Sequence, residues 1–83
     1  MTEIVNESPG DTVLPVLARM RKTIAAYREN AEHFRLAAAV AQEHEQTIMA
    51  VRQDERAMCF KEDADLLEIW CNEISRALGV RSH

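Results

Sequence analysis

Glycine and proline are scarce in this chain, with only two of each among 83 residues. Both residue types interrupt regular helices, and the sequence contains neither between Pro15 and Gly79. Aromatic residues make up only 5% of the chain, whereas hydrophobic residues make up 47% and charged residues 29%. This composition is typical of a helix-rich globular chain rather than a disordered one. We therefore expect an all-α fold.

Cysteine and long apolar runs are also in short supply. The two cysteines, Cys59 and Cys71, are too few and too poorly spaced for a disulfide framework or a cysteine-based zinc site. No apolar run approaches the roughly 18 residues that a membrane-spanning helix needs. The acidic N-terminal segment does not have the basic and apolar regions of a signal peptide. We expect a cytoplasmic protein that does not enter a membrane.

Motifs for catalysis or metal binding are missing as well. Glu43-His44-Glu45 raises the possibility of a metal or acid/base site. However, the Glu-x-x-His motif of di-iron bundles is not met, because Ala41 stands three residues before His44. His33 and His44 would lie about 16 Å apart along a continuous helix, too far to share a metal ion. We expect no cofactor, no metal and no enzymatic activity.

Apolar residues recur in alternating steps of four and three along two segments. The first seam is Val13, Leu17, Met20, Ile24, Tyr27, Ala31, Phe34, Ala38 and Ala41. The second seam is Ala57, Phe60, Ala64, Leu67, Cys71, Ile74 and Leu78. This spacing places each set on one side of a helix, in the manner of a coiled coil. Each seam therefore predicts a long amphipathic helix.

Two helix layouts are compatible with these seams. The preferred layout has three helices, at about 12–43, 46–60 and 64–78, with breaks in the polar segments between them. The alternative is a helical hairpin in which the middle segment continues one of its neighbours. We expect a helix break, or a change of packing partner, between Glu43 and Thr47, where the first seam ends.

The ends of the chain complete the predicted organisation. Ser8-Pro9-Gly10 predicts a turn, and Gly79 predicts a helix C-terminal cap. The chain then divides into an acidic tail at 1–11, a single helical domain at 12–79 and a short tail at 80–83. Because so short a chain buries a small core, we expect a small antiparallel helical bundle that is completed by dimerisation.

Charge is unevenly distributed along the chain, whose net charge is −4. The first predicted helix is basic, and residues 43–73 are acidic. Arg21, Arg28 and Arg35 flank the first seam at seven-residue intervals, whereas Asp63 and Glu68 flank the second. Antiparallel packing would bring these opposite charges together. Exposed ion pairs of this kind would favour antiparallel over parallel packing of the helices but would add little to the stability of the fold.

The segment around Trp70 carries apolar side chains on more than one helix face. Trp70 lies beside the second seam, so it either fills the core of a small bundle or anchors an interface, as tryptophan commonly does. We expect a partner or dimer interface to be built from Leu66, Ile69, Trp70, Arg21, Arg28, Arg35 and Glu68.

These features predict a protein-interaction module rather than an enzyme. The expected role is that of a regulator, inhibitor or adaptor, of the kind often encoded by mobile elements, that occludes or scaffolds another protein. We expect it to be a homodimer. The alternative is an RNA- or DNA-binding regulator that uses the basic first helix. Against that alternative, Tyr27 and Phe34 occupy seam positions, where they would be core residues rather than base-stacking platforms.

Overall fold

The computed structural model describes residues 9–79, with side chains described from residue 13 onward, and these residues form a two-helix hairpin. Helix α1 spans Pro9–Glu43 and helix α2 spans Thr47–Ala77. The two helices pack against each other, and residues 9–79 contain no strand. The all-α prediction and the hairpin alternative are confirmed. The preferred three-helix layout is wrong, because one helix runs through both of its last two segments.

The polar segment around residues 61–63 does not interrupt α2. Lys61, Glu62 and Asp63 are exposed, whereas Phe60 and Ala64 keep the inward face apolar. Lys61 also pairs with Asp65 one turn later, with Nζ 3.1 Å from Oδ2, which is a helix-stabilising spacing. A polar segment ends a helix when the apolar residues of its inward face also stop. Here those apolar residues continue through the segment, so α2 continues as well.

Helix α1 begins earlier than the predicted residue 12. Pro9 is its first residue, a position where the missing N–H of proline costs little. The predicted acidic tail therefore overlaps α1 at residues 9–11, and Pro15 lies inside the helix rather than in its first turn. The rest of that tail, at 1–8, and the predicted tail at 80–83 lie outside the described residues.

The turn between the helices covers residues 44–46, within the predicted interval. Glu45 has a φ of 59°, the left-handed conformation that commonly ends a helix. The Glu45 N–H donates to the Gln42 carbonyl at 3.0 Å, and the Gln46 N–H donates to the Ala41 carbonyl at 2.8 Å. This pair of bonds is the Schellman pattern, which satisfies carbonyl groups left free at the helix end. The EHE segment is therefore a helix cap and turn.

Glycine at position 45 is expected to stabilise the hairpin. A left-handed conformation costs a residue with a β-carbon about 1–2 kcal/mol, and glycine removes this strain. Glycine also has more conformational freedom in the unfolded chain, which costs about 0.5–1 kcal/mol on folding and offsets part of the gain. The Glu45→Gly variant should therefore gain up to about 1 kcal/mol in urea unfolding at matched concentration. Glu45→Ala keeps the β-carbon and is the control. Equal stability of the two variants would show that Glu45 carries no strain.

The hairpin core is thin and consists mainly of small residues. The buried apolar residues are Leu17, Ile24, Ala38, Ala41, Ala50, Ala64 and Cys71. Only Leu17 and Ile24 among them are large. Partly buried aromatic rings add to this core: Tyr27 meets Phe60 edge-on at 5.4 Å between centroids, and Phe34 stacks on Phe60 at 5.6 Å.

Both predicted seams face the opposite helix over most of their length. The second seam departs from its prediction in the last turn of α2, where Ser75 is buried (3% exposed) while Ile74 and Leu78 are 37% and 42% exposed. It also extends further toward the turn, because Ala50 is buried and Gln53 is partly buried. A polar glutamine at a seam position is the reason that the pattern stopped short in the sequence.

Candidate functional site

Ion pairs connect the two helices along one flank of the hairpin. The Arg28 guanidinium on α1 donates from Nη2 to Asp65 Oδ1 at 3.2 Å and to Glu68 Oε1 at 2.5 Å on α2. Antiparallel packing brings opposite charges of the two helices together, as predicted for the arginines and acids that flank the seams. The acids that Arg28 meets are Glu68, which was among those predicted, and Asp65, which was not. These groups are about half exposed, so the pairs choose the helix orientation more than they stabilise the fold.

Arg21 and Arg35 lie on the same flank, seven residues on either side of Arg28. Arg21 Nη2 donates to Ser75 Oγ at 3.4 Å across the hairpin. Arg35 pairs within α1, where its Nε donates to Glu32 Oε1 at 3.1 Å and its Nη2 also contacts Glu32. The three regularly spaced arginines therefore make contacts within the chain.

Cationic neighbours lower the pKa of two carboxyl groups, those of Asp65 and Glu32. Hydrogen bonds from Lys61 and then from Arg28 hold the pKa of Asp65 below its usual value. Arg35 lowers the pKa of Glu32 in the same way. Because the folded-state pKa of Asp65 lies below the unfolded one, its contribution to stability is present above the unfolded pKa. That contribution is lost as the pH falls through the folded-state pKa.

The pKa of Asp65 is expected to rise when its cationic neighbours are removed. Lys61 is the larger cause of the shift, so Lys61→Gln should raise this pKa more than Arg28→Gln does. The measurement is an NMR titration of the Asp65 carboxyl carbon in the parent chain and in both variants. A pKa of Asp65 that is the same in all three proteins would contradict these pairings.

Three predicted interface residues lie outside the contact with α1. Leu66, Ile69 and Trp70 are 45%, 53% and 50% exposed. Trp70 therefore does not fill the core of the hairpin, which was one of its two interpretations, and its side chain lies at the surface. Glu68, between them in sequence, lies on the ion-paired flank beside Arg28. The structure thus divides the predicted interface into an apolar outer part and a charged flank.

Several other apolar side chains, all outside the two seams, are exposed. Leu36, Val40, Ile48, Val51 and Met58 are each at least half exposed, and Ile48 is the extreme at 71%. The last four belong to a line of apolar residues that the sequence predicts as a second contact face for a three-helix or dimeric assembly, whereas Leu36 was not predicted. An apolar residue outside the contact stripe of a two-helix hairpin must face solvent or another chain.

The two histidines that the sequence singled out, His33 and His44, lie in different parts of the hairpin. His44 lies in the turn beyond α1, whereas the ring of His33 lies edge-on to Phe34 with 5.7 Å between centroids. In the described part of the chain, no group of three or more His, Cys, Asp or Glu side chains is placed to hold a metal ion. Over residues 9–79, neither helix has a stretch long and apolar enough to cross a bilayer.

No family model matches this chain, and no curated protein or solved structure matches it either. The geometry offers two distinct surfaces. One is the flank on which Arg28 joins the helices, whose charges are used within the chain. The other is the side of α2 that carries Leu66 and Trp70 and faces solvent.

Proposed function

We propose that the chain is a non-enzymatic protein-interaction module, a regulator, inhibitor or adaptor that occludes or scaffolds another protein. The observation that carries this proposal is the exposure of Leu66, Ile69 and Trp70 on a hairpin whose core is built mainly from small residues. Exposed apolar groups with polar neighbours mark interaction sites, and tryptophan is a frequent anchor of affinity. The neighbours here include the exposed acids Glu62 and Glu73.

A nucleic-acid-binding role has less support from the same surfaces. Arg28 and Arg35 already meet carboxylates of the chain, so binding phosphates would break existing ion pairs. Tyr27 and Phe34 contact Phe60 between the helices and do not present free faces for base stacking. We also place the module in the cytoplasm, where a reducing environment suits the free thiols of Cys59 and Cys71.

Affinity capture from the native host, with and without nuclease, tests this function. We expect the full chain to retain a specific protein after nuclease treatment, and the purified pair to bind at physiological salt. Trp70→Lys should abolish this capture. Leu36→Lys, at a residue of similar exposure on α1, is the matched control and should retain it. Capture that disappears with nuclease, or affinity that falls steeply with salt, would contradict the proposal and favour nucleic acid.

A further inference from the structure

One face of α2 has a symmetric arrangement of exposed residues about Cys59, and we call it the Cys59 face. It consists of Ile48, Arg52, Glu55, Arg56, Cys59, Glu62, Asp63, Leu66 and Trp70, all of which are exposed. At 100° per residue, all nine lie within about 60° of the direction of Cys59. The two apolar ends of the face, Ile48 and Trp70, each lie 11 residues from Cys59, or about 16 Å along the axis.

The charges on this face differ in sign between its two halves. Toward the turn lie Arg52, Glu55 and Arg56, with a net charge of +1, and beyond Cys59 lie Glu62 and Asp63, with a net charge of −2. Arg56 and Glu62, three residues before and after Cys59, are oppositely charged, whereas Glu55 and Asp63, four residues away on either side, are both acidic. The half of the face toward the turn is therefore basic overall, and the other half is acidic and apolar.

A second copy of the chain complements this face only in the antiparallel orientation. A parallel pairing would place Arg56 against Arg56 and Glu62 against Glu62, which is unfavourable. An antiparallel pairing about Cys59 places Arg56 opposite Glu62 of the second copy, and Ile48 opposite its Trp70. Glu55 and Asp63, each four residues from Cys59, form one like-charged match, so the complementarity lies in the opposite net charges of the two halves.

We infer that two hairpins associate antiparallel through the Cys59 face, with the two Cys59 side chains near the two-fold axis. Such an interface is isologous, because the same patch serves both subunits. Each dimer then has two apolar clusters, in which Ile48 of one copy covers Trp70 and Leu66 of the other. The exposed Ile48 side chain and the half-exposed Trp70 ring are both covered by this arrangement.

This inference rests on the proposed function. The second copy covers Trp70, so the dimer is the form that binds another protein, and Trp70→Lys abolishes capture by breaking the dimer. The two proposals fail in different ways. A chain that stays monomeric but captures a specific protein through Trp70 would overturn the dimer and leave the function standing. A chain that forms this dimer but retains no other protein would support the dimer and overturn the function.

Thiol cross-linking tests the position of the two-fold axis. A short bismaleimide should join two copies through Cys59 at low micromolar protein, seen as a doubled mass on a denaturing gel. Cys71 is fully buried and should not react in the folded protein. Cys59→Ser should remove the doubled band.

The matched control moves the thiol away from the two-fold axis by adding Glu73→Cys to Cys59→Ser. In the proposed dimer the two thiols at position 73 lie about 40 Å apart, so this variant should give no doubled band. Equal cross-linking at positions 59 and 73 would overturn the geometry.

A charge exchange tests the antiparallel register. Arg56→Glu should raise the dimer dissociation constant roughly tenfold or more, because each substitution acts twice in an isologous interface. Glu62→Arg should act in the same direction, and the double variant should return to within about threefold of the parent chain. Arg56 also lies over the Phe34 ring, 5.8 Å from its centroid. The single Arg56→Glu variant and the double variant both lose this contact, so any recovery of affinity in the double variant comes from the pair across the interface. A double variant no tighter than either single variant would overturn the register.

Discussion

Phenylalanine at position 64 should unfold much of the hairpin under conditions in which the parent chain is folded. Ala64 is fully buried in the cluster with Leu17, Ile24 and Cys71, so no part of its side chain borders solvent. A ring at this point must push the helices apart. Overpacking typically costs about 1–3 kcal/mol and occasionally more, and we expect Ala64→Phe at or above the top of that range. Urea unfolding followed by circular dichroism measures the loss.

The matched control for this variant is Ala26→Phe. Ala26 is exposed on α1, so it receives the same ring and the same change in helix propensity without an opposing helix. We expect a change within about 0.5 kcal/mol. If both variants lost stability equally, the tight packing around Ala64 would not be the cause of the loss.

Alanine at position 24 should have the second large effect. Ile24 is 6% exposed and, among residues 13–79, is one of two large apolar side chains that are buried, so Ile24→Ala removes a sizeable part of the core. Deleting a buried isoleucine in this way costs about 2–5 kcal/mol, comparable to a large fraction of the stability of a chain of this size. The unfolding midpoint in urea should fall sharply.

Leu36→Ala is the control for the loss of Ile24. Leu36 is 53% exposed on the same helix, so a similar reduction in side-chain volume should cost well under 1 kcal/mol there. A tolerated Ile24→Ala variant would mean that the stability of the hairpin comes from another surface, and the outer side of α2 would be the first to examine.

The sequence predicted the two contact stripes because helix periodicity depends on local spacing. Every residue of the first predicted seam is buried or partly buried. The position of the turn was also predictable, since the seam fails at Glu45, the residue that adopts the left-handed conformation. The number of helices was not, because Lys61, Glu62 and Asp63 are equally compatible with a loop and with the outer side of a continuous helix.

The candidate site was predictable in its parts but not in its arrangement. The sequence indicated that Arg28 and Trp70 lie beside the seams. Only the antiparallel hairpin shows that Arg28 meets Asp65 within the chain while Trp70 faces outward. The symmetry of the Cys59 face likewise has meaning only once residues 48–70 are known to form one uninterrupted helix.

The mass of the full chain in solution most directly tests the central claim that a second copy of the chain covers the outer side of α2. Sedimentation equilibrium under reducing conditions should give twice the chain mass of 9.5 kDa at micromolar concentration. Trp70→Lys should give the mass of a single folded chain, whereas Leu36→Lys should remain dimeric. A parent chain that sediments as a monomer at every concentration, or a Trp70→Lys variant that remains as dimeric as the parent, would contradict the account.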